Sequence, residues 1–93
     1  METNFLYFKT ANNIQQDIAA NAKKRRKAAQ LTQKQLSAKS GVSLGSLKRF
    51  ETTGEISLAS LLKIAFALGC EEDFEELFKR RHYQSIQEII NGK

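Results

Sequence analysis

Hydrophobic residues recur along most of this chain every three or four positions, which is the spacing of helices that pack on one face. One such stripe is formed by Ile14, Ile18 and Ala22. It predicts a helix over residues 12–28 that is capped by Asn12 or Asn13. The apolar stretch "NFLYFK" at residues 4–9 is too short for an independent helix and predicts a strand or an extended arm. The chain therefore opens with an arm or strand, followed by a long helix.

Three more helices are predicted in the middle of the chain, because each segment has a capping residue in front and a glycine behind it. These caps and glycines are Thr32 and Gly41, Ser43 and Gly54, and Ser57 and Gly69. In the last of the three, "LASLLKIAFAL", a broad apolar face predicts a buried central helix. The residues of that face are Leu58, Leu61, Leu62, Ala65 and Leu68.

A fifth helix is predicted for "EEDFEELFK" at residues 71–79, since acids in a first turn interact favourably with the helix dipole. Its Phe74, Leu77 and Phe78 are expected to face inward. Residues 80–93 place Tyr83, Ile86 and Ile90 at helical spacing and predict a helical tail. The expected architecture is all-α, with an N-terminal arm or strand over 1–11, a helical domain over 12–79 and the tail over 80–93.

Length and cysteine content narrow the class of protein. A chain of 93 residues can build one domain with a modest core and no metal or disulfide. Its one cysteine, Cys70, excludes an intramolecular disulfide and a cysteine-cluster zinc site. No apolar run approaches the roughly 18 residues of a membrane span, and the first residues do not resemble a signal peptide. We expect a cytoplasmic protein without a membrane partner.

The basic residues are concentrated in one half of the chain. Residues 1–50 contain ten lysines and arginines against two acids, whereas residues 51–93 contain five against eight. This asymmetry predicts a face that binds a polyanion, with a solvated basic surface as the plain alternative.

Two short helices joined at Gly41 have the spacing of a helix-turn-helix. Helices this short cross closely only where side chains are small, which Ser37 and Ala38 satisfy, while Val42 and Leu47 can fill the angle between them. An unrelated pair of antiparallel helices has the same pattern, so spacing alone leaves both possibilities open.

Several landmarks in order make residues 14–78 resemble the phage-repressor-type (Xre-like) helix-turn-helix family. They are Thr-Gln before the first short helix, the "GVS" turn, the Leu-x-x-Phe-Glu ending and the closing "ALG". The segment "SLKRFETTGEISLASLLKIAFALG" is most similar to antitoxin regulators paired with HipA-type kinase toxins. The resemblance implies a compact five-helix, lambda-repressor-like domain that binds operator DNA as a homodimer in the bacterial cytoplasm, at the nucleoid.

The resemblance also implies which residues meet DNA, because the third helix of this family lies in the major groove. Arg49 is expected to read guanine through its O6 and N7 atoms, and Leu44 to touch a thymine methyl. Ser43, Ser46 and Gln33 are expected at phosphate oxygens. The full set carried over is Gln33, Ser43, Leu44, Gly45, Ser46, Lys48 and Arg49. Gly45 departs from the family, which often has a polar side chain there.

Arg26 and Glu51 occupy positions where the resemblance implies an internal ion pair bracing the third helix. The rest of the "KKRRK" run fans around its helix axis, so only part of it can face DNA; we expect Lys24 and Arg25 at the phosphate backbone, with Lys39. A membrane-surface helix is the competing interpretation, but large aromatic residues are missing from the apolar face of this segment.

The remaining reactive side chains do not form a recognisable site. His82 is expected in surface or tail packing, Cys70 as a buried, inert thiol, and the acids of 71–76 as a solvated helix face. No enzyme, metal or cofactor is predicted. The sequence therefore predicts a sequence-specific transcriptional regulator, a dimeric repressor that can also be the antitoxin of an autoregulated operon.

An alternative function is a toxin-neutralising adaptor in which DNA binding is secondary. Surplus apolar residues in both terminal segments favour a partner protein, the toxin, although the same residues can extend the core or form the dimer contact.

Overall fold

The computed structural model describes residues 9–79, which form five helices and no strand. These are α1 (Ala11–Ala28), α2 (Gln33–Ser40), α3 (Leu44–Thr53), α4 (Leu58–Leu68) and α5 (Glu72–Glu75). The expected all-α, five-helix architecture is confirmed. The predicted strand or arm over residues 4–9 lies outside the described residues except for Lys9, and the predicted tail over 80–93 lies wholly outside them.

Side-chain caps determine where the helices begin. Thr32, Ser43 and Ser57 cap α2, α3 and α4 as predicted, each accepting a hydrogen bond from a backbone N–H one turn ahead. The predicted cap of α1 is wrong. Thr10 is the cap, and it forms a capping box in which the Asn13 side chain accepts from the Thr10 backbone N–H at 3.1 Å.

The core is small and lies where α1, α2, α3 and α4 meet. α1 packs against α3, and α2 packs against both α3 and α4. The buried apolar residues are Ala19, Leu36, Val42, Leu47, Phe50, Ile64 and Ala65. Val42 and Leu47 fill the angle between α2 and α3 as expected, whereas Ala38 is exposed and does not serve the crossing.

Several apolar residues predicted to be buried are exposed. In α1, Ile14 and Ile18 are exposed and Ala19 is buried instead. In α4, Leu58 is exposed while Ile64 and Ala65 enter the core. Because the core covers only a narrow arc of each helix, apolar periodicity identified the helices but only part of the buried face, such as Leu47 and Ala65.

The fifth helix is shorter than predicted, since it ends at Glu75 and is followed by turns. Leu77 is exposed, and Phe78 is fully exposed with a left-handed backbone at φ +65°. The expected inward orientation of both side chains is therefore wrong, and only Phe74 is partly buried. Cys70 is also only partly buried, and this burial raises the pKa of its thiol, which keeps the sulfur protonated.

None of the helices in the described part of the chain is long and apolar enough to cross a membrane.

Candidate nucleic-acid interface

The turn between α2 and α3 holds the two helices in a fixed relation. Gly41 adopts φ +79°, a left-handed conformation that ends α2 at little steric cost, and its N–H donates to the Ser37 carbonyl at 2.9 Å. The Ser37 hydroxyl donates to the Val42 carbonyl, and the Val42 N–H donates to the Ser40 hydroxyl at 3.1 Å. The start of α3 is thereby tied to the end of α2.

One face of α3 is buried and the opposite face is open to solvent. Leu47 and Phe50 are buried, and since helical residues are about 100° apart, Gly45, Lys48 and Thr52 lie on the opposite side. A Cβ placed at Gly45 would meet no atom within 4 Å, so this face is open at its N-terminal end. Of the residues predicted to contact DNA here, Ser43, Gly45, Ser46, Lys48 and Arg49 are exposed and Leu44 is partly buried.

Thr52 is a further exposed residue of the open α3 face, and it was not among the residues predicted to contact DNA. It lies seven positions after Gly45 and four after Lys48, which is the spacing that places side chains on one helix face. That spacing was sufficient to find it.

The two serines at the start of α3 are bonded to each other. The Ser43 oxygen accepts from the Ser46 N–H at 3.1 Å, and the Ser43 hydroxyl donates to the Ser46 oxygen at 2.9 Å. The Ser43 hydroxyl is therefore used within the protein. The hydroxyl proton of Ser46 is left to donate to a ligand such as a phosphate oxygen.

Arg26 of α1 and Glu51 of α3 form a buried, bidentate ion pair. Nε of Arg26 lies 2.7 Å from Oε2 of Glu51 and Nη2 lies 3.0 Å from Oε1, with the two side chains 8% and 4% exposed. Nη1 donates to the Leu31 carbonyl at 2.9 Å. The pair joins α3 to α1 and to the segment before α2.

Gln33 belongs to the same network, because its Nε2 donates to Oε1 of Glu51 at 2.9 Å. Burial by itself raises the pKa of Glu51, but the hydrogen bonds from Arg26 and Gln33, together with the charges of Arg26 and Lys23, outweigh burial and hold this pKa below its ordinary value. The amide expected at a phosphate is thus positioned by the ion pair, and one of its N–H groups is already engaged.

The cations of "KKRRK" point in different directions around α1. Lys23 lies about 60° around the helix from Arg26 and is therefore on the side of α1 that faces α3, and its charge helps to lower the pKa of Glu51. Lys24 lies about 160° around the helix from Arg26 and therefore faces away from α3. Arg25 lines a groove with residues of α4 and α5. The structure therefore places Lys23, and not Lys24 or Arg25, on the side of α1 that faces α3.

Lys39 also lies away from the open face of α3. It is exposed near the end of α2, beside Lys63 and Phe66 of α4. The structure therefore does not group Lys39 with the other residues predicted to contact DNA.

Arg49 carries an acidic partner that the sequence analysis did not predict. Its Nε donates to Oε1 of Glu55 at 3.1 Å, and its Nη2 donates to the same oxygen. Both side chains are mostly exposed, and the hydrogen bonds and charge of Glu55 raise the pKa of Arg49. Glu55 lies beyond the end of α3, so helical spacing could not pair the two residues.

A ten-residue helix fixed by a tight turn, braced by a buried ion pair and open on a cationic face defines the helix-turn-helix class of DNA-binding proteins. A family model described as helix-turn-helix matches residues 23–74, and the chain belongs to this family, which is the phage-repressor (Xre-like) type. It is a DNA-binding transcriptional regulator, in a family of regulators and not of enzymes. Searches of curated proteins and of solved structures gave no match to the chain.

Proposed function

We propose that this regulator is a sequence-specific repressor that inserts α3 into the major groove of a two-fold operator. The open face of α3 carries this proposal. Because Gly45 has no side chain and its surroundings are empty, the first turn of α3 can lie close to a duplex. Lys48 and Arg49, one turn further along, then reach into the groove.

In the proposed complex, Arg49 reads a guanine and the partly buried Leu44 packs against a thymine methyl. Ser46 donates its free hydroxyl to a phosphate, and Gln33 and Lys23 contact the same strand from the ion-pair side of the motif. The buried pair of Arg26 and Glu51 keeps α3 rigid but makes no DNA contact.

The test is footprinting on the promoter of the protein's own gene, followed by affinity measurements with base-substituted duplexes. Arg49→Ala should weaken binding by about 1–3 kcal/mol on duplexes that carry the cognate base pair at one position. It should not weaken binding to duplexes that lack this base pair. Arg25→Ala is the matched control, since it removes the same charge from the groove lined by α1, α4 and α5. Equal losses from the two variants on every sequence would show that Arg49 is not a base reader.

We further propose that the repressor binds as a homodimer, since a two-fold operator presents half-sites about 34 Å apart. Analytical ultracentrifugation of the protein with and without operator DNA tests this proposal. A symmetric footprint together with two chains per duplex is expected, and one chain per duplex would contradict it.

A second candidate function, binding of a partner protein, is favoured by an apolar groove of about 260 Å³ between α1, α4 and α5. No residue of α2 or α3 lines this groove, so a partner seated there would leave the DNA face free. Its apolar lining includes Ile18, Ala22, Leu61, Leu68, Phe74 and Leu77. Together with the resemblance to antitoxins, the groove supports a toxin-neutralising role toward a HipA-type kinase and repression of the shared operon.

Co-purification with the product of the neighbouring gene tests this role. Leu77→Glu should abolish co-purification, whereas Phe66→Glu, an equally drastic change at an exposed apolar residue outside this groove, should not. A partner retained by Leu77→Glu would exclude the groove as its docking site. Trimming residues 1–11 or 80–93 in the same assay tests whether the terminal segments contribute.

A further inference from the structure

Among the residues that the structure describes, the guanidinium of Arg49 is held along one edge only. Its Nε and Nη2 both donate to Oε1 of Glu55, whereas Nη1 and the second hydrogen of Nη2 have no bond to Glu55. The unoccupied Nη1–Nη2 edge still offers two parallel N–H donors. Two parallel donors are what the O6 and N7 atoms of guanine accept.

Glu55 is itself held in place by a closed set of hydrogen bonds. The Thr53 hydroxyl donates to the Arg49 carbonyl at 2.8 Å and accepts from the Glu55 N–H at 3.1 Å. These bonds fix the backbone of Glu55 relative to the turn of α3 that carries Arg49, and the Glu55 side chain extends from that fixed point to the Arg49 guanidinium.

Gly54 anchors this loop to α1. It is buried at φ +83°, and its carbonyl accepts a long hydrogen bond of 3.4 Å from Nε2 of Gln15. A Cβ at this position would lie 3.1 Å from the Gln15 backbone, which shows how closely the loop and α1 approach each other. Glu55 thus extends from a fixed loop, although its side chain is exposed.

We infer that Glu55 is a positioning residue for base readout: it restricts Arg49 to an end-on approach to guanine and keeps it from binding phosphate. This inference rests on the proposed function, because it assumes that α3 reads a duplex. Holding Arg49 in one orientation before binding reduces the ordering cost of the contact. The carboxylate also repels nearby phosphates, which weakens binding to DNA that lacks the guanine.

The experiment is selection from a double-stranded DNA library with a randomised centre, run in parallel for the wild type and for Glu55→Gln. The position read by Arg49 is defined as the one whose preference disappears in Arg49→Ala. At that position Glu55→Gln should reduce the guanine preference by about fivefold or more, which matches the lower end of the discrimination that one bidentate contact supplies. The log–log salt slope of non-cognate binding should steepen by about 0.9 as Arg49 gains a phosphate.

Two controls separate this role from a general effect of charge or folding. Glu75→Gln removes another exposed acid, from α5, and should leave both readouts unchanged. In an Arg49→Ala background, Glu55→Gln should have no effect on base preference, because Glu55 acts through Arg49. The thermal midpoint of Glu55→Gln should match the wild type, since the pair is exposed.

An unchanged guanine preference in Glu55→Gln would overturn the inference, whether or not overall affinity rises. An effect that persists without Arg49 would overturn it as well, because Glu55 would then contact DNA directly. If the wild-type protein itself selects no sequence, the proposed function fails together with the inference. The selection with the wild-type protein alone would reveal that outcome.

Discussion

At the scale of single residues, the stability of the α3 region depends strongly on Arg26. Its guanidinium is buried and donates to both oxygens of Glu51 and to the Leu31 carbonyl. A buried charge that loses its partner costs far more than a surface pair is worth, because the remaining charge is neither solvated nor neutralised.

Arg26→Ala should therefore lower the free energy of unfolding by about 3–5 kcal/mol, since it leaves the carboxylate of Glu51 buried with only Gln33 as donor. Urea denaturation followed by circular dichroism measures this change. Lys24→Ala, two residues away on the exposed side of α1, should change stability by less than about 0.5 kcal/mol. Comparable losses in both variants would mean that the ion pair has no special weight.

The same pair makes stability depend on pH. The pKa of Glu51 is below its ordinary value of 4.5, so the stability that its charge contributes is present above pH 4.5 and is lost as the pH falls through the lower, folded-state pKa. We expect the free energy of unfolding to fall on acidification below about pH 4.5. Glu51→Gln should show a smaller fall over that range than the wild type. Parallel pH profiles for the two proteins would contradict the assignment.

At the scale of elements, two glycines of the α3 region have opposite roles. Gly45 is helical and exposed, with open space where a Cβ would stand, whereas Gly54 is buried in a left-handed conformation against the Gln15 backbone. The first can accept a methyl group, and the second cannot do so without strain.

Gly45→Ala should stabilise the fold by about 0.5–1 kcal/mol, because alanine loses less backbone entropy than glycine in a helix. The same variant should bind operator DNA more weakly, since its methyl group lies where the duplex approaches most closely. Gly54→Ala is the contrasting variant and should destabilise the fold. Thermal unfolding and affinity measurements on both variants check the prediction, and a Gly45→Ala variant with undiminished operator affinity would refute close approach at this position.

At the scale of the whole molecule, the basic half of the chain does not form one continuous cationic surface. Lys23 and Lys24 are neighbours in sequence but project from different sides of α1, because successive helical residues are about 100° apart. The groove with Arg25 and the open face of α3 are likewise separate surfaces. In the proposed complex with a duplex, this arrangement leaves the groove accessible to a protein.

This arrangement makes the salt dependence of DNA binding a test of orientation. Lys23→Ala should weaken binding to all duplexes alike and reduce the log–log salt slope by about 0.9, the value for one lost phosphate contact. Lys24→Ala should leave the slope unchanged, although the two variants have the same net charge. A larger change in Lys24→Ala would place the opposite side of α1 against the DNA.

Local sequence signals predicted the elements of this protein well. Helix caps and helix-ending glycines act within one turn of the chain, so their roles do not depend on the rest of the fold. The examples are the caps Thr32, Ser43 and Ser57 and the glycines that follow α2, α3 and α4. The helix-turn-helix and its family could be recognised for the same reason, since their landmarks are ordered along the chain. The DNA contacts themselves stay a prediction.

What only the tertiary structure decided is which side of each helix faces which neighbour. Leu58 and Phe78 are apolar yet exposed, and Arg26 is charged yet buried, because the position of neighbouring helices outweighs the polarity of one side chain. The pairing of Arg49 with Glu55 likewise depends on a loop that Gly54 anchors to α1. The sequence by itself determined the helices, the turns and the class of protein, since these follow from interactions between residues a few positions apart. Burial, charge pairing and the direction of each cation were decided by the tertiary structure, because they depend on contacts between residues far apart in the chain.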